Sequence, residues 1–292
     1  MSGLRIENAI DMHCHFGPDT IGGNTGAEGY AVTGLDAARE AQASGHRAIV
    51  LKSHSFASPA LAHNLQQLVP ELKVFGGICT DYPSGGLNID AVEAALMLGA
   101  RIVWLPTVHS CQDIDHNIER FGFHGPGLNV VDDNNQVTAT VHEIFRLVQQ
   151  YDAVLATGHI TAAEHYGVVK AFARRGKVLV THAGDELAGP RLSPQQCREL
   201  AELGATIELT ALSCKDVMGM QGKDPATMAA MIRHISCDHC TLSTDYGWTT
   251  AVPNPAAGLR EFLENLWHQG LTESELTTMV STTPARLLSL DL

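Results

Sequence analysis

Ile10-Asp11-Met12-His13-Cys14-His15-Phe16, followed at once by Gly17-Pro18, sets an apolar lead-in before two histidines one residue apart. In an extended strand alternate side chains share a face, so His13 and His15 point the same way. Imidazole is the commonest protein metal ligand, and two rings on one face at a strand end can grip a single divalent ion. Two polar residues that merely close a strand would look the same. The decision therefore rests on whether later strands supply the missing ligands.

Working outward, the chain alternates strand-like and helical segments with a regular beat. Apolar runs occur at Ala9–Phe16, Ala48–Lys52, Val74–Cys79, Arg101–Pro106, Ala153–Gly158, Val178–Thr181, Thr206–Leu209 and Thr241–Thr244. Between them lie segments of helical period such as Leu35–Ala41, Ala91–Leu98 and Gln195–Ala201. Gly45, Gly99, Gly176 and Gly204 each stand just before a strand, where glycine commonly caps a helix in the left-handed conformation. Eight strand-then-helix units in about the 250 residues typical of the fold predict one α/β domain over residues 1–292. The expected architecture is a (β/α)8 TIM barrel with a C-terminal helical extension. One connection, Thr107–Thr138 after strand four, is long. Its Leu128–Val131 and Gln136–Val137 can pair over the turn Asp132-Asp133-Asn134-Asn135, and its position suggests a lid.

Barrel chemistry is found at the C-terminal ends of strands. Strand five ends Thr157-Gly158-His159, strand six Thr181-His182-Ala183-Gly184, and strand eight Ser243-Thr244-Asp245-Tyr246-Gly247. Each offers a metal-ligating side chain at the rim. Fifteen histidines scattered at random would not favour strand ends over helix faces, so His13, His15, His159, His182 and Asp245 are read together as one metal site.

This pattern, His-x-His on strand one with single histidines on strands five and six and an aspartate on strand eight, resembles the ligand set of the amidohydrolase superfamily. Ser281-Thr282-Thr283-Pro284-Ala285-Arg286-Leu287-Leu288-Ser289-Leu290 is similar to the Asn-Pro-Ala-Arg-Leu-Leu-Gly-Leu ending common there, so the likeness spans practically the whole chain. Within the superfamily, Val50-Leu51-Lys52-Ser53-His54, Gly85-Gly86-Leu87-Asn88 and Trp104-Leu105-Pro106-Thr107 resemble a small bacterial branch that lends no substrate. Many binuclear relatives carry a carboxylated lysine or a glutamate on strand four to bridge two metals. Here that strand ends Pro106-Thr107-Val108-His109 without an anionic bridge. The expectation is one divalent ion, zinc first, with a second left open. Lys52, at the end of strand two, can compensate as a carboxylated ligand, or stay cationic and bind a substrate carboxylate or a developing oxyanion.

A divalent ion held by imidazoles and a carboxylate polarises a carbonyl and lowers the pKa of bound water. The resemblance implies that Asp245 moves the proton from that water to the leaving group. The leading expectation is thus metal-dependent hydrolysis of an amide, cyclic amide, ester or lactone. Non-oxidative decarboxylation, performed in one branch of the superfamily by a similar ligand set around a single metal, is the rival. A non-catalytic metal- or ligand-binding protein comes third, since structural zinc sites are usually closed and cysteine-rich. Lys52, His54, His109, Arg191 and Trp248 are the candidate substrate contacts. His116, His124, Lys215 and Lys223 are weaker ones because their loops place them only loosely.

The net charge of −13 disfavours nucleic acid and anionic membrane surfaces and leaves a small molecule as the expected partner. The N-terminus carries no long apolar run, and no later run reaches membrane-spanning length, so the expected location is the cytoplasm. Seven scattered cysteines, an odd number, fit reduced thiols better than a disulfide framework. Only Cys237-Asp238-His239-Cys240 has ligand-like spacing, and it lacks the second pair that a structural site needs. Leu259–Trp267 and the apolar tail can form a homo-oligomer contact or pack on the chain's own barrel.

Overall fold

The computed structural model describes residue 4, residues 6–20 and residues 32–291. Residues 1–3 and 5, part of the N-terminal stretch read for a leader, lie outside the described residues. Eight parallel strands form one sheet in sequential order: β1 (Ile10–His15), β2 (Ala48–Lys52), β3 (Lys73–Cys79), β4 (Ala100–Trp104), β5 (Val154–Ala156), β6 (Lys177–Val180), β7 (Thr206–Thr210) and β8 (Cys240–Ser243). The intervening helices are α1 (Gly34–Ala43), α2 (Pro59–Gln66), α3 (Ile89–Met97), α4 (Ile114–Phe121), α5 (Ala139–Gln150), α6 (Ala162–Phe172), α7 (Pro194–Glu202) and α8 (Pro225–Ile235). This is the expected (β/α)8 barrel.

Strand alternation separates two cores. Ala48 and Val50 face the barrel interior with Ile10, Met12 and Trp104, while Ile49 and Leu51 face out against Ala38, Ala41 and Ala62. Strict alternation would turn His13 away from an interior that already takes Ile10 and Met12. A bulge corrects this: Asp11 pairs with Ile49 and Cys14 with Leu51, so one extra residue of β1 is accommodated. Bulges re-aim side chains in this way.

The sheet closes where the site lies. His15 N donates to Tyr246 O at 2.8 Å, and Asp245 N donates to His13 O at 2.9 Å. Asp11 stitches the same seam, its Oδ1 accepting from His13 N and Thr244 N, each at 3.1 Å. Ligand-bearing ends of β1 and β8 are therefore held in register by backbone bonds shielded from water.

After β8 come α9 (Pro255–His268), α10 (Glu273–Thr277), a single π turn at Thr278–Thr282 and α11 (Thr283–Leu287). Ala285, Leu287 and Leu288 join the interior cluster, and Leu259, Phe262, Leu263 and Leu266 are buried in the outer one. Fully burying each such leucine contributes roughly 1.5–3 kcal/mol. Much of the apolar pattern of this extension thus packs on its own barrel, and among its described residues Trp267 is a partly exposed large apolar side chain.

Gly45, Gly99 and Gly204 take φ of 75°, 97° and 111°, the left-handed conformation read from their positions. Gly176 does not. The α6 helix ends earlier, at a C-cap on Ala173, and a Cβ on Gly176 would come 3.0 Å from the Phe145 ring. Close packing, not chain reversal, calls for glycine there.

The long connection after β4 is anchored to its surroundings. The anticipated hairpin is present as a Val131–Val137 antiparallel bridge, and a second bridge joins Ser110 to Leu128. Helix α4 lies within it, and its N-cap Asp113 accepts from Gly189 N with both carboxylate oxygens, at 3.1 and 2.9 Å.

Candidate metal centre

His13 and His15 end β1, and Asp245 stands two residues past β8. Asp245 Oδ1 lies 2.9 Å from His13 Nε2 and 3.0 Å from His15 Nε2. Across the barrel mouth, His159 and His182 follow β5 and β6 and bring their Nε2 atoms to 2.9 Å from each other. The His13 and His182 ring centroids are 5.8 Å apart, so the two groups share one centre. Lys52 Nζ reaches in from β2 to 2.9 Å from His13 Nε2, above the Trp104 ring at 5.6 Å. Trp104 floors the site because Gly77 on β3 makes room: a Cβ there would come 2.4 Å from the indole.

Two of these residues have backbones that non-glycine residues seldom adopt: φ is 22° at His182 and 59° at Asp245. Such conformations persist where the surroundings over-determine them. Asp245 is tied to His13 O, and His182 N donates to Glu208 Oε2 at 3.1 Å.

The outer contacts decide whether a metal fits. His13 Nδ1 lies 3.1 Å from Glu208 Oε2, and His159 Nδ1 lies 2.9 Å from Asp113 Oδ2. An ionised carboxylate can only accept, so each Nδ1 carries a proton and Nε2 is left as the nitrogen that faces inward. This carboxylate–histidine arrangement fixes tautomer and raises ligand basicity. Burial, opposed by Asp245, lowers His15 to about 3; burial and then Lys52 lower His159 to about 3; burial and then His159 hold His182 well below its ordinary value. Imidazoles with Nε2 turned inward beside one carboxylate oxygen, those of His15, His159 and His182 held neutral, are the kind of donor set that a divalent cation takes. His13, His15 and Asp245 form one such group, with ligand atoms within 4.8 Å of one another.

His13 behaves differently. Burial pulls it down, but the charges of Asp245 and Glu208 prevail over it and over Lys52, pushing it up to about 9. Below that pH a proton occupies the nitrogen that a metal needs. Metal affinity is therefore expected to rise about tenfold per pH unit between roughly 7 and 9 and to level off above, with close to one proton released per ion bound. Chelator competition across that range, and calorimetry in buffers of different ionisation enthalpy, measure both; an affinity flat with pH rules out this proton. The same shift contributes stability to the metal-free chain that is present below about pH 6.5 and is lost as pH rises through about 9.

The cavity beside this centre, about 50 Å³, is lined by His15, Lys52, His54, His159, His182, Asp245 and Trp248 among the residues singled out from sequence. Trp248 Nε1 donates to Asp245 O at 3.0 Å. Arg191 and His109 stand elsewhere. Arg191 is exposed and pairs with Glu186 at 3.2 Å, because the loop after β6 turns it toward α7. His109 packs between Tyr82 and Phe123, its Nδ1 3.4 Å from Asp81. Lys215 pairs with Glu261, Lys223 with Glu186, and His116 and His124 are exposed. The Cys237–Cys240 segment is not among the potential ligand groups of the described residues. A second group, His54, Cys79 and Asp81, is one of them, but His54 Nδ1 is already taken by Thr107 Oγ1 at 2.6 Å and by Asp81.

Sequence reasoning missed Glu208, Asp113 and the cavity-lining Asn117 and Asp185. Glu208 had a signal, as a lone acid within the apolar strand Thr206-Ile207-Glu208-Leu209. Asp113 had none, because it reaches His159 across a gap of 46 positions in a loop.

Residues 8–208 match the model described as Family of unknown function (DUF6282). The chain belongs to the DUF6282 family. No curated protein matches this DUF6282 member significantly. Solved structures share its fold. An amidohydrolase from Pseudomonas aeruginosa is similar at 11% identity with a TM-score of 0.62, covering 97% of this chain and 95% of that one. A PTE-like lactonase mutant from Deinococcus radiodurans is similar at 13% identity and a TM-score of 0.60, covering 99% and 98%. A 2,6-dihydroxybenzoate decarboxylase is similar at 11% identity and a TM-score of 0.59, covering 99% and 100%. The likeness of this DUF6282 chain to the amidohydrolase superfamily, first read from its ligand pattern, therefore extends to the fold of the whole chain. Among the described residues, no helix is long and apolar enough to cross a membrane.

Proposed function

We propose that this protein is a metal-dependent hydrolase of a small-molecule amide, cyclic amide, ester or lactone. The observation that carries the reading is the convergence of His13 Nε2 and His15 Nε2 on one oxygen of Asp245, with His159 and His182 facing the same centre. His13, His15, His159, His182 and Asp245 would hold the ion, and zinc suits such nitrogen and carboxylate donors. When bound, a divalent cation supplies Lewis acidity toward a carbonyl and makes water acidic enough to lose a proton near neutrality.

The protein's own groups do the rest. Asp245 is kept ionised: burial would raise it, but the His13 charge and the hydrogen bonds from both β1 histidines hold it well below the usual carboxylate range. It can take a proton from the attacking water and return it to the leaving group. Lys52, buried over Trp104, serves either as a cation facing the developing negative charge or, carboxylated, as a further oxygen ligand. Trp248 walls the cavity and excludes bulk water from Asp245.

Non-oxidative decarboxylation keeps one observation in its favour. Leu105-Pro106-Thr107 after β4 brings no carboxylate to the centre, as a single-metal site needs none. Purified, zinc-loaded protein incubated with matched panels of amides, lactones and aromatic acids separates the two. Ring opening or amide cleavage abolished by a chelator, with the melting transition displaced only modestly, is the expected result. Release of carbon dioxide from an acid substrate transfers the site to decarboxylation, and metal binding with no turnover of any panel leaves a binding protein.

A further inference from the structure

The substrate-facing wall of the cavity is rich in hydrogen-bond acceptors. His54 Nδ1 lies 2.6 Å from Thr107 Oγ1 and 3.2 Å from Asp81 Oδ2. The Thr107 hydroxyl gives its one proton to Asp81 Oδ2, so toward His54 it can only accept. His54 therefore carries its proton on Nδ1, and its Nε2 offers a lone pair to the cavity it lines. Its ring is held there by stacking on His15, with centroids 5.2 Å apart and planes 10° from parallel.

Asn117 repeats the pattern from α4. Asn117 lines the cavity, and its Nδ2 donates to Val108 O at 2.8 Å, which leaves the amide oxygen as its free acceptor. Asp185, three residues past His182, is buried and also lines the cavity. One carboxylate oxygen accepts from Leu187 N at 2.7 Å and the other from Ser213 Oγ at 3.2 Å, and each retains a second acceptor position. Among the described residues a single lysine, Lys52, stands against these, and no arginine lines the cavity. Apart from the residues of the metal centre, the other described lining residues are apolar: Val108, Leu187, Ala188, Leu212 and Trp248.

We infer that this wall selects substrates whose N–H groups donate to it, with Asp185 as the specificity-determining anchor and His54 and Asn117 as further acceptors. The inference rests on the hydrolase reading and narrows it to nitrogen-bearing substrates, away from lactones and polycarboxylates. A site built around a substrate N–H rejects the analogue that lacks it, because buried acceptors are then left unpaired. Lactone oxygen offers no proton to Asp185, and a dicarboxylate would face it with like charge.

The test uses the full-length, zinc-loaded protein with δ-valerolactam, δ-valerolactone and glutarate as probes, affinities coming from competition calorimetry or inhibition and turnover from product analysis. The lactam is expected to bind about tenfold or more tightly than either other probe, the scale of one hydrogen bond to a charged acceptor. Asp185→Asn, which replaces one oxygen by a donor at nearly constant size, is expected to erase most of that preference while lactone binding changes little. Asn117→Leu provides a second variant, expected to weaken the lactam selectively. Equal affinity for lactam and lactone, tightest binding of glutarate, or a preference untouched in both variants overturns the inference. Hydrolysis without an N–H preference would leave the hydrolase reading standing and this inference refuted; an N–H preference without turnover of any probe does the reverse.

Discussion

Replacing Asp245 by Asn is expected to lower turnover by about 10²–10⁴-fold at saturating metal, the range associated with general acid–base catalysis. The amide keeps the shape of the carboxylate and an oxygen able to ligate weakly, and Asp245 N stays bonded to His13 O, so the left-handed backbone at this position is retained. Four imidazoles remain to hold the ion. Substrate affinity is therefore expected to stay within about an order of magnitude, the pattern of an interaction made in the transition state. A residue that only ligates predicts the opposite, with excess metal restoring most of the turnover. Steady-state kinetics alongside metal content distinguish the two. A variant rescued by metal would move the proton-transfer role to Lys52 or His54, which line the same cavity, since His109 is committed to Asp81 and His116 and His124 are exposed.

The second large effect concerns the strand-one pair. Changing His13 and His15 together to Ala is expected to abolish stoichiometric metal binding and to reduce activity to background. The barrel itself should persist, because the ligands lie at the catalytic end while the interior core of Ile10, Met12, Val50 and Trp104 is untouched. The structure adds a cost that a rim position alone does not suggest. His13 lies between Asp245 and Glu208, both buried, and its removal takes the cationic partner from both carboxylates, Glu208 keeping only the hydrogen bonds from His182 N and Ser243 Oγ. Breaking a buried pair from one side costs about 3–5 kcal/mol, so a lowered melting temperature with unchanged far-ultraviolet dichroism is expected. Retention of bound metal and full activity would reject the site, whereas an unfolded double variant would show that the metal centre carries the fold.

How far these residues were legible in the sequence differs from one to the next. His13, His15, His159, His182 and Asp245 could be placed because each stands at the end of an apolar run, and the regular strand–helix beat sends every such end to one rim. Lys52 and His54 could be placed for the same reason. Arg191 and His109 could not. They lie in loops whose course depends on packing, and neither alternation nor helical period constrains a side chain there. The long connection after β4 looked like a cover. In the fold it also supports the site, since its Asp113 reaches His159 and its Asn117 lines the cavity.

Strand order, the barrel and the ligand-bearing ends were determined by the sequence by itself, because hydrophobic period and strand length act locally and the closed parallel sheet is the arrangement that buries so many apolar strands. Only the tertiary structure decided the bulge that turns both His13 and Met12 inward, the Glu208 and Asp113 carboxylates that set the histidine tautomers, and the acceptor wall of His54, Asn117 and Asp185. Each depends on groups distant in sequence meeting inside the fold: Glu208 reaches His13 across 195 positions. The strength of those contacts comes from the burial that the closed barrel creates, and no short stretch of chain contains it.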